Sequence, residues 1–213
     1  MWIFSPPTLE QGLTVLDSLL HGAPGRPAID VVQVRPKAPG AHRTPTEART
    51  ALTWTRAVLE RTGRPEEGGP LVLVNDRVDV AAALAVEGCA GVHLGQDDLP
   101  AEEARAFLGA GPLLGLSTHD AEQLGAALDA PVDYLGFGPV FATATKGYAE
   151  GLGPDRAWIA STAATVPVFP IGGIDLVGAA ELAPVGRAAV SSVLQDSTDP
   201  ARTATALRAL LSP

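Results

Sequence analysis

Three short groups of residues carry the chemistry this sequence can offer: Asn75-Asp76-Arg77, Gln96-Asp97-Asp98 and the loop Thr143-Ala144-Thr145-Lys146. The first two place carboxylates directly after short apolar runs, and the third combines hydroxyls with a cation. Carboxylates arriving from neighbouring strand tips suit Mg2+, which takes one or two of them and completes its shell with water and phosphate oxygens. A hydroxyl-and-lysine loop beside that ion suits a phosphate ester whose developing charge must be stabilised. Each group also has a plain structural reading. Asp76 can cap a helix near Asp79, Asp97 and Asp98 can cap one starting at Ala101, and the segment 141–147 can be an ordinary solvated loop. Adjacent strands lie about 4.8 Å apart, so it is the joint position of Asp76 and Asp98 at successive tips that favours a shared cation. Of the second pair, Asp98 is the expected ligand.

Gln33, Arg35 and Lys37 add a third polar set, because residues two apart share a face of a strand. Buried together, the two cations would be unfavourable without an anion. The alternative is that the strand ends at Val34, as the restraint at Pro36 would allow, and the charges face water. Further along, Pro170-Ile171-Gly172-Gly173-Ile174 and Ala189-Val190-Ser191-Ser192 end two more apolar runs, and glycine amides at such ends can approach phosphate oxygens closely.

The elements that must position these residues follow a regular rhythm. Eight short apolar runs (2–4, 31–35, 71–76, 91–95, 113–118, 134–138, 168–173 and 187–194) alternate with helical patterns (8–20, 45–61, 79–87, 101–108, 120–128, 155–164, 175–182 and 199–211). The expected fold is therefore α/β, a single-domain (β/α)8 TIM barrel over residues 1–213; a doubly wound open sheet is the alternative. Closure is favoured by alternation within the runs. Gly91, His93 and Gly95, then Gly115 and Ser117, then Tyr134, Gly136 and Gly138 form small or polar sets that would face the axis, where glycine leaves room for a ligand.

Composition narrows the class. A hydrophobic share of 46% against 18% charged residues describes a well-cored globule, and a net charge of −9 argues against nucleic acid or an anionic membrane as partner. The start has no basic leader, and no apolar run is long enough to span a bilayer. The single cysteine, Cys89, lies among apolar residues, so no disulfide framework exists and burial is expected. A cytoplasmic protein is the expectation. A homo-oligomer is compatible with the sequence, which fixes no oligomeric state.

With these residues assembled, the chain resembles the thiamine phosphate synthase family, which shares its barrel with thiazole tautomerases. The resemblance rests on Leu73-Val74-Asn75-Asp76-Arg77-Val78-Asp79, Gly91-Val92-His93-Leu94-Gly95-Gln96-Asp97-Asp98-Leu99-Pro100 and Gly115-Leu116-Ser117-Thr118-His119. It continues through Asp133-Tyr134-Leu135-Gly136-Phe137-Gly138-Pro139-Val140-Phe141, Thr143 to Lys146 and Ile171-Gly172-Gly173-Ile174. It implies a transferase that moves an aminopyrimidine methyl group from its diphosphate to the nitrogen of a thiazole phosphate, through a dissociative, carbocation-like step, with Mg2+ as cofactor. By the resemblance, Gln33, Arg35, Lys37, Asn75, Ser117 and Lys146 contact the pyrimidine diphosphate, with Arg35, Ser117 and Lys146 acting on the departing group. Asp76 and Asp98 hold the metal, and Thr143, Thr145, Gly172 or Gly173, and Val190-Ser191 hold the thiazole phosphate.

The chain departs from the family pattern at Gln33-Val34-Arg35-Pro36-Lys37, where the family usually reads Gln-Leu-Arg-Glu-Lys, at the end of its first run, which lacks Thr-Asp, and at the short Pro184-Val185-Gly186-Arg187 segment. A tautomerase using His119 as acid and base is the nearest alternative, and a non-catalytic barrel that binds thiamine precursors is a third. The loop 142–153 carries three glycines; gating by loops of this kind is common, and sequence alone does not decide whether this one orders over a substrate.

Overall fold

Val-rich and Leu-rich segments with side chains on alternate faces build the sheet. In the computed structural model, which describes residues 1–22, 26–36, 45–143 and 150–212 (only the backbone at 45), seven parallel strands pair in sequence order. They are β1 (Trp2–Phe4), β2 (Val31–Val34), β3 (Leu71–Asn75), β4 (Gly91–Leu94), β5 (Leu113–Thr118), β6 (Tyr134–Phe137) and β7 (Val168–Pro170). The intervening helices are α1 (Leu9–His21), α2 (Pro45–Thr62), α3 (Val78–Leu84), α4 (Ala101–Leu108), α5 (Ala121–Leu128), α6 (Pro154–Ala163) and α7 (Leu176–Glu181). A one-turn α8 (Ser192–Gln195) and the long α9 (Pro200–Leu211) complete the chain.

The expected eighth run, 187–194, divides in two. Only Ala189 and Val190 bridge, Ala189 to Ile171 and Val190 to Trp2, and Ser192 already begins α8. These two residues nevertheless close the barrel. Ala189 N donates to Pro170 O at 2.8 Å, Val190 N to Met1 O at 3.0 Å and Ile3 N to Val190 O at 2.8 Å, so the ladder runs from β7 through this bridge to β1. The shortness follows from sequence, with Pro184 and Gly186 on one side and two serines on the other.

Alternation sorts the core into a shell and a plug. Val32, Val34, Val72, Val74, Val92, Leu94, Leu114 and Leu135 face outward and pack under the helices with Leu16, Leu19, Val58, Leu84 and Leu194. Facing the axis, Val31, Leu73 and Tyr134 pack with Leu71, Leu113 and Phe169 and fill the end of the barrel where the strands begin. The opposite end, where the strands finish, stays polar. Burying a Val or Leu side chain contributes roughly 1.5–3 kcal/mol, and the larger outer cluster is the main adhesive between sheet and helices.

Four helices start where a polar side chain accepts a first-turn amide: Thr8 from Gln11 N, Asp120 from Gln123 N, Asp175 from Gly178 N and Asp199 from Arg202 N. Such a cap contributes about 1 kcal/mol. Cys89 is buried, as expected from its apolar surroundings, and burial pushes its thiol above the usual range. Among the described residues no helix is long and apolar enough to cross a membrane.

Candidate active site

The ends of β2, β3 and β4 bring together Gln33, Arg35, Asn75, Asp76 and Asp98. Gln33 is buried and faces the axis from β2, donating its amide to Asn75 Oδ1 at 2.5 Å from the neighbouring strand. The regular strand does end at Val34, yet Arg35 is not turned out to water. Its N–H extends the ladder to Phe4 O at 2.8 Å, the residue is half-buried, and its guanidinium favours the ionised form of Asp76.

Asp76 has φ +63°, the left-handed region that Asp and Asn tolerate better than other residues with a Cβ. Its N–H is held by His93 O at 2.8 Å across the β3–β4 edge. This turn aims its carboxyl at Asp98 rather than at the start of α3, which has no side-chain cap. The next residue departs from the cluster, because Arg77 forms a bidentate pair with Asp79 on the outside. Asp98 is half-buried while Asp97 is exposed, and Asp98 Oδ2 accepts Gly95 N at 2.7 Å, which fixes it across the turn after β4. The start of α4 is likewise uncapped by a side chain. Neither carboxylate therefore serves as a helix cap.

Enclosure and repulsion set the electrostatics of the pair. Asp76 stands open at the mouth as a residue, but its carboxyl is walled in by Asp98, Asn75 and Arg35. Desolvation, followed by the hydrogen bond and like charge of Asp98, pushes it up to about 7 against the opposing pull of Arg35 and Asn75. A cation between the two groups would relieve this, and hard carboxylate oxygens are what Mg2+ takes. Among the described residues no group of three or more His, Cys, Asp or Glu could hold a metal. The pair fits an ion that draws its remaining ligands from water and phosphate.

Across the barrel mouth, Ser117 near the end of β5 is joined to His93, with Nε2 2.9 Å from its Oγ, while Gln96 Nε2 donates to its carbonyl at 2.5 Å. The Gln96 contact was not foreseen; its place directly after β4 beside a glycine was the available signal. The space next to Gly115 and Gly136, read from sequence as room for a ligand, is occupied in part by protein. A Cβ at Gly115 would stand 2.1 Å from Tyr134 Cζ, and one at Gly136 would stand 3.3 Å from His93 Cε1. The glycines admit two rings into the barrel, and ligand space begins above them.

On the β6–β7 side, Phe141 N donates to Gly172 O at 3.0 Å and Val140 N to Ile171 O at 2.8 Å, tying the loop after β6 to the loop after β7. Gly172 (φ +98°) and Gly173 (φ +65°) require glycine, and a Cβ at Gly173 would fall 2.4 Å from Ala142 O. Thr143 is half-buried at the edge of this junction. Ser191 Oγ donates to Ile3 O at 3.2 Å, so at the Val190-Ser191 tip the backbone rather than the hydroxyl is left to meet a ligand. His119 Nδ1 lies 2.5 Å from Gly138 O. Lys37, Thr145 and Lys146, and the loop residues 144–149, lie outside the described residues.

Comparisons with known proteins bear on the family and the fold. A thiamine-phosphate synthase of Synechococcus sp. (strain CC9311) is 41% identical over 189 residues, covering 87% of this chain and 50% of the relative. One of Mycobacterium sp. (strain KMS) is 40% identical over 186 residues, covering 84% and 79%. The chain thus spans half the length of the first and about four-fifths of the second. Among solved structures, thiamine phosphate pyrophosphorylase from Pyrococcus furiosus superposes with a TM-score of 0.75 at 26% identity, covering 99% of this chain and 94% of that one. The 3-hexulose-6-phosphate synthase of Salmonella typhimurium, at 16% identity and a TM-score of 0.69, shares the barrel over 99% of this chain and 96% of its own. Residues 5–194 match the thiamine monophosphate synthase family, and the chain belongs to that family.

Proposed function

We propose that this chain is a thiamine-phosphate synthase, joining an aminopyrimidine methyl diphosphate to a thiazole phosphate with release of pyrophosphate. The observation that carries the reading is the facing pair Asp76 and Asp98 beside Arg35 and the Gln33–Asn75 amide contact, all at adjoining strand tips of a chain in this family. In the reaction the bond between the pyrimidine methylene carbon and the diphosphate oxygen breaks, and a bond from that carbon to the thiazole nitrogen forms. Ionising a carbon–oxygen bond is favoured by groups that meet the charge on the departing diphosphate, and no side-chain nucleophile is required.

Arg35 would pair with that diphosphate, while Gln33 and Asn75 fix its end of the substrate and Ser117 donates from the opposite wall. Asp76 and Asp98 would hold Mg2+, which when bound neutralises diphosphate charge. The Gly172-Gly173 turn and the Val190-Ser191 backbone would receive the thiazole phosphate, with Thr143, Thr145, Lys37 and Lys146 completing the site. Such an enzyme works on phosphorylated small molecules and fits the cytoplasm, where a protein with one buried thiol is stable. His119 is fixed by the contact of its Nδ1 with the Gly138 carbonyl, which leaves Nε2 as the proton-accepting nitrogen a tautomerase would use, and the assay with the thiazole alone separates that reading.

The test supplies the purified protein with each substrate alone and then with both, in the presence of Mg2+. Thiamine phosphate and pyrophosphate appearing in equal amounts only with both substrates supports the reading. Isomerisation of the thiazole alone, with no coupled product, overturns it.

A further inference from the structure

Inside the barrel, below the ligand space, a chain of three polar side chains crosses from β6 through β4 to β5. Tyr134 Oη lies 2.9 Å from His93 Nδ1, and His93 Nε2 lies 2.9 Å from Ser117 Oγ. Tyr134 and His93 are both buried, and their rings stack with centroids 5.4 Å apart. Two glycines make the room: Gly115, where any Cβ would enter the Tyr134 ring, and Gly136, against the imidazole edge. Ser117 pairs with Gly136 and His93 with Gly115 in the sheet register, so the three groups are held by the ladder itself.

The direction of the hydrogen bonds can be worked out. Burial pushes the Tyr134 phenol far above its usual range, so it keeps its proton. Around it are Val31, Leu73 and the Phe169 ring, and its hydrogen bond among the described residues goes to His93 Nδ1. If Nδ1 carried a proton, the phenol proton would be buried without an acceptor, an unfavourable state. The phenol therefore donates to Nδ1, the imidazole proton sits on Nε2, and Nε2–H donates to Ser117 Oγ. A serine oxygen that accepts from below is left to direct its own proton upward, into the site.

We propose that His93, held in its Nε2–H tautomer by Tyr134, is a positioning residue that orients the Ser117 hydroxyl as a one-way donor to the diphosphate of the pyrimidine substrate. The proposal rests on the synthase reading for the identity of the ligand, while the hydrogen-bond direction follows from the buried Tyr134–His93–Ser117 chain itself. Preorganised donors of this kind act because they are already aimed where charge develops and need no rearrangement.

Three measurements test it. Nitrogen NMR of the ligand-free protein should show His93 with a protonated Nε2 and a bare Nδ1; the reverse tautomer overturns the proposal. His93→Gln keeps an N–H within reach of Ser117, whereas His93→Asn does not. The Asn variant should lose about 10- to 100-fold in kcat with little change in the KM for thiazole phosphate, and the Gln variant should stay within about threefold of wild type. In a Ser117→Ala background His93→Asn should cost less than about twofold more, because it acts through that hydroxyl. Equal loss in the Gln and Asn variants with unchanged thermal unfolding, or full additivity with Ser117→Ala, overturns the proposal. If the wild type gives no product, the synthase reading fails separately. The proposal is then decided by the tautomer and by calorimetry with magnesium pyrophosphate, where Asn but not Gln should weaken binding about 10-fold.

Discussion

Replacing Asp76 by Asn should make the metal-free protein more stable while removing the proposed metal site. The folded protein raises Asp76 from the ordinary 3.8 to about 7. Its ionised form is thus disfavoured on folding. The sign follows from linkage: the cost is absent below about 3.8, grows as pH rises through the interval to about 7, and is constant above it. That interval corresponds to about 4 kcal/mol for a fully enclosed group. Solvent at the open mouth screens the interaction, so a realistic cost at pH 8 is about 1–2 kcal/mol. Asn keeps the size of the side chain and accepts the left-handed backbone found here. Thermal melts in chelator at pH 8 should therefore show Asp76→Asn about 2–8 °C above wild type for a chain of this size. The gap should narrow toward pH 4, and Mg2+ should raise the wild-type melting temperature but not the variant's. A variant less stable than wild type at every pH would refute the reasoning, since the carboxylate would then be held by favourable contacts rather than by enclosure against Asp98.

Two further substitutions separate the site from its scaffold. Gly173→Ala forces a Cβ to within 2.4 Å of Ala142 O at a positive φ, so it should shift the loop junction and raise the KM for thiazole phosphate about 10-fold or more, with a smaller effect on the pyrimidine substrate. Steady-state kinetics with each substrate varied in turn checks this. Arg105 fastens the far end of the barrel, donating to Pro131 O at 3.1 Å, Gly109 O at 2.9 Å, Pro112 O at 2.8 Å and Asp133 Oδ2 at 2.6 Å. Arg105→Met should lower stability by about 2–3 kcal/mol in a denaturant titration and leave kcat near that of wild type.

Much of the barrel was legible because its signals are local. Helix starts at Thr8, Asp120, Asp175 and Asp199 each coincide with a capping side chain, and the alternation of small or polar residues with apolar ones marked the inner and outer faces of β4, β5 and β6. The eighth strand was harder to read. An apolar run of that length is equally compatible with a strand or a helix, and here pairing of Ala189 and Val190 with both neighbours fixed two residues while the rest turned into α8. At the site, the spacing of Asp76 and Asp98 pointed to a shared ligand, but their opposition depends on the left-handed turn at Asp76 and the Gly95–Asp98 bond, which are features of tertiary structure. The same holds for His93. Sequence placed it on the inner face beside glycines, but which atoms filled that space depended on the size of Tyr134 from another strand.

The central claim is that Asp76 and Asp98 act together to hold the ion that meets the diphosphate. The most direct measurement is thiamine phosphate formation as a function of Mg2+ concentration in the wild type, Asp76→Ala and Asp98→Ala, each shown to be folded. Saturable Mg2+-dependent product in the wild type, with about 100-fold or greater loss in both variants, is the predicted result. Wild-type activity that persists in chelator, or variants that saturate with Mg2+ as the wild type does, would contradict it.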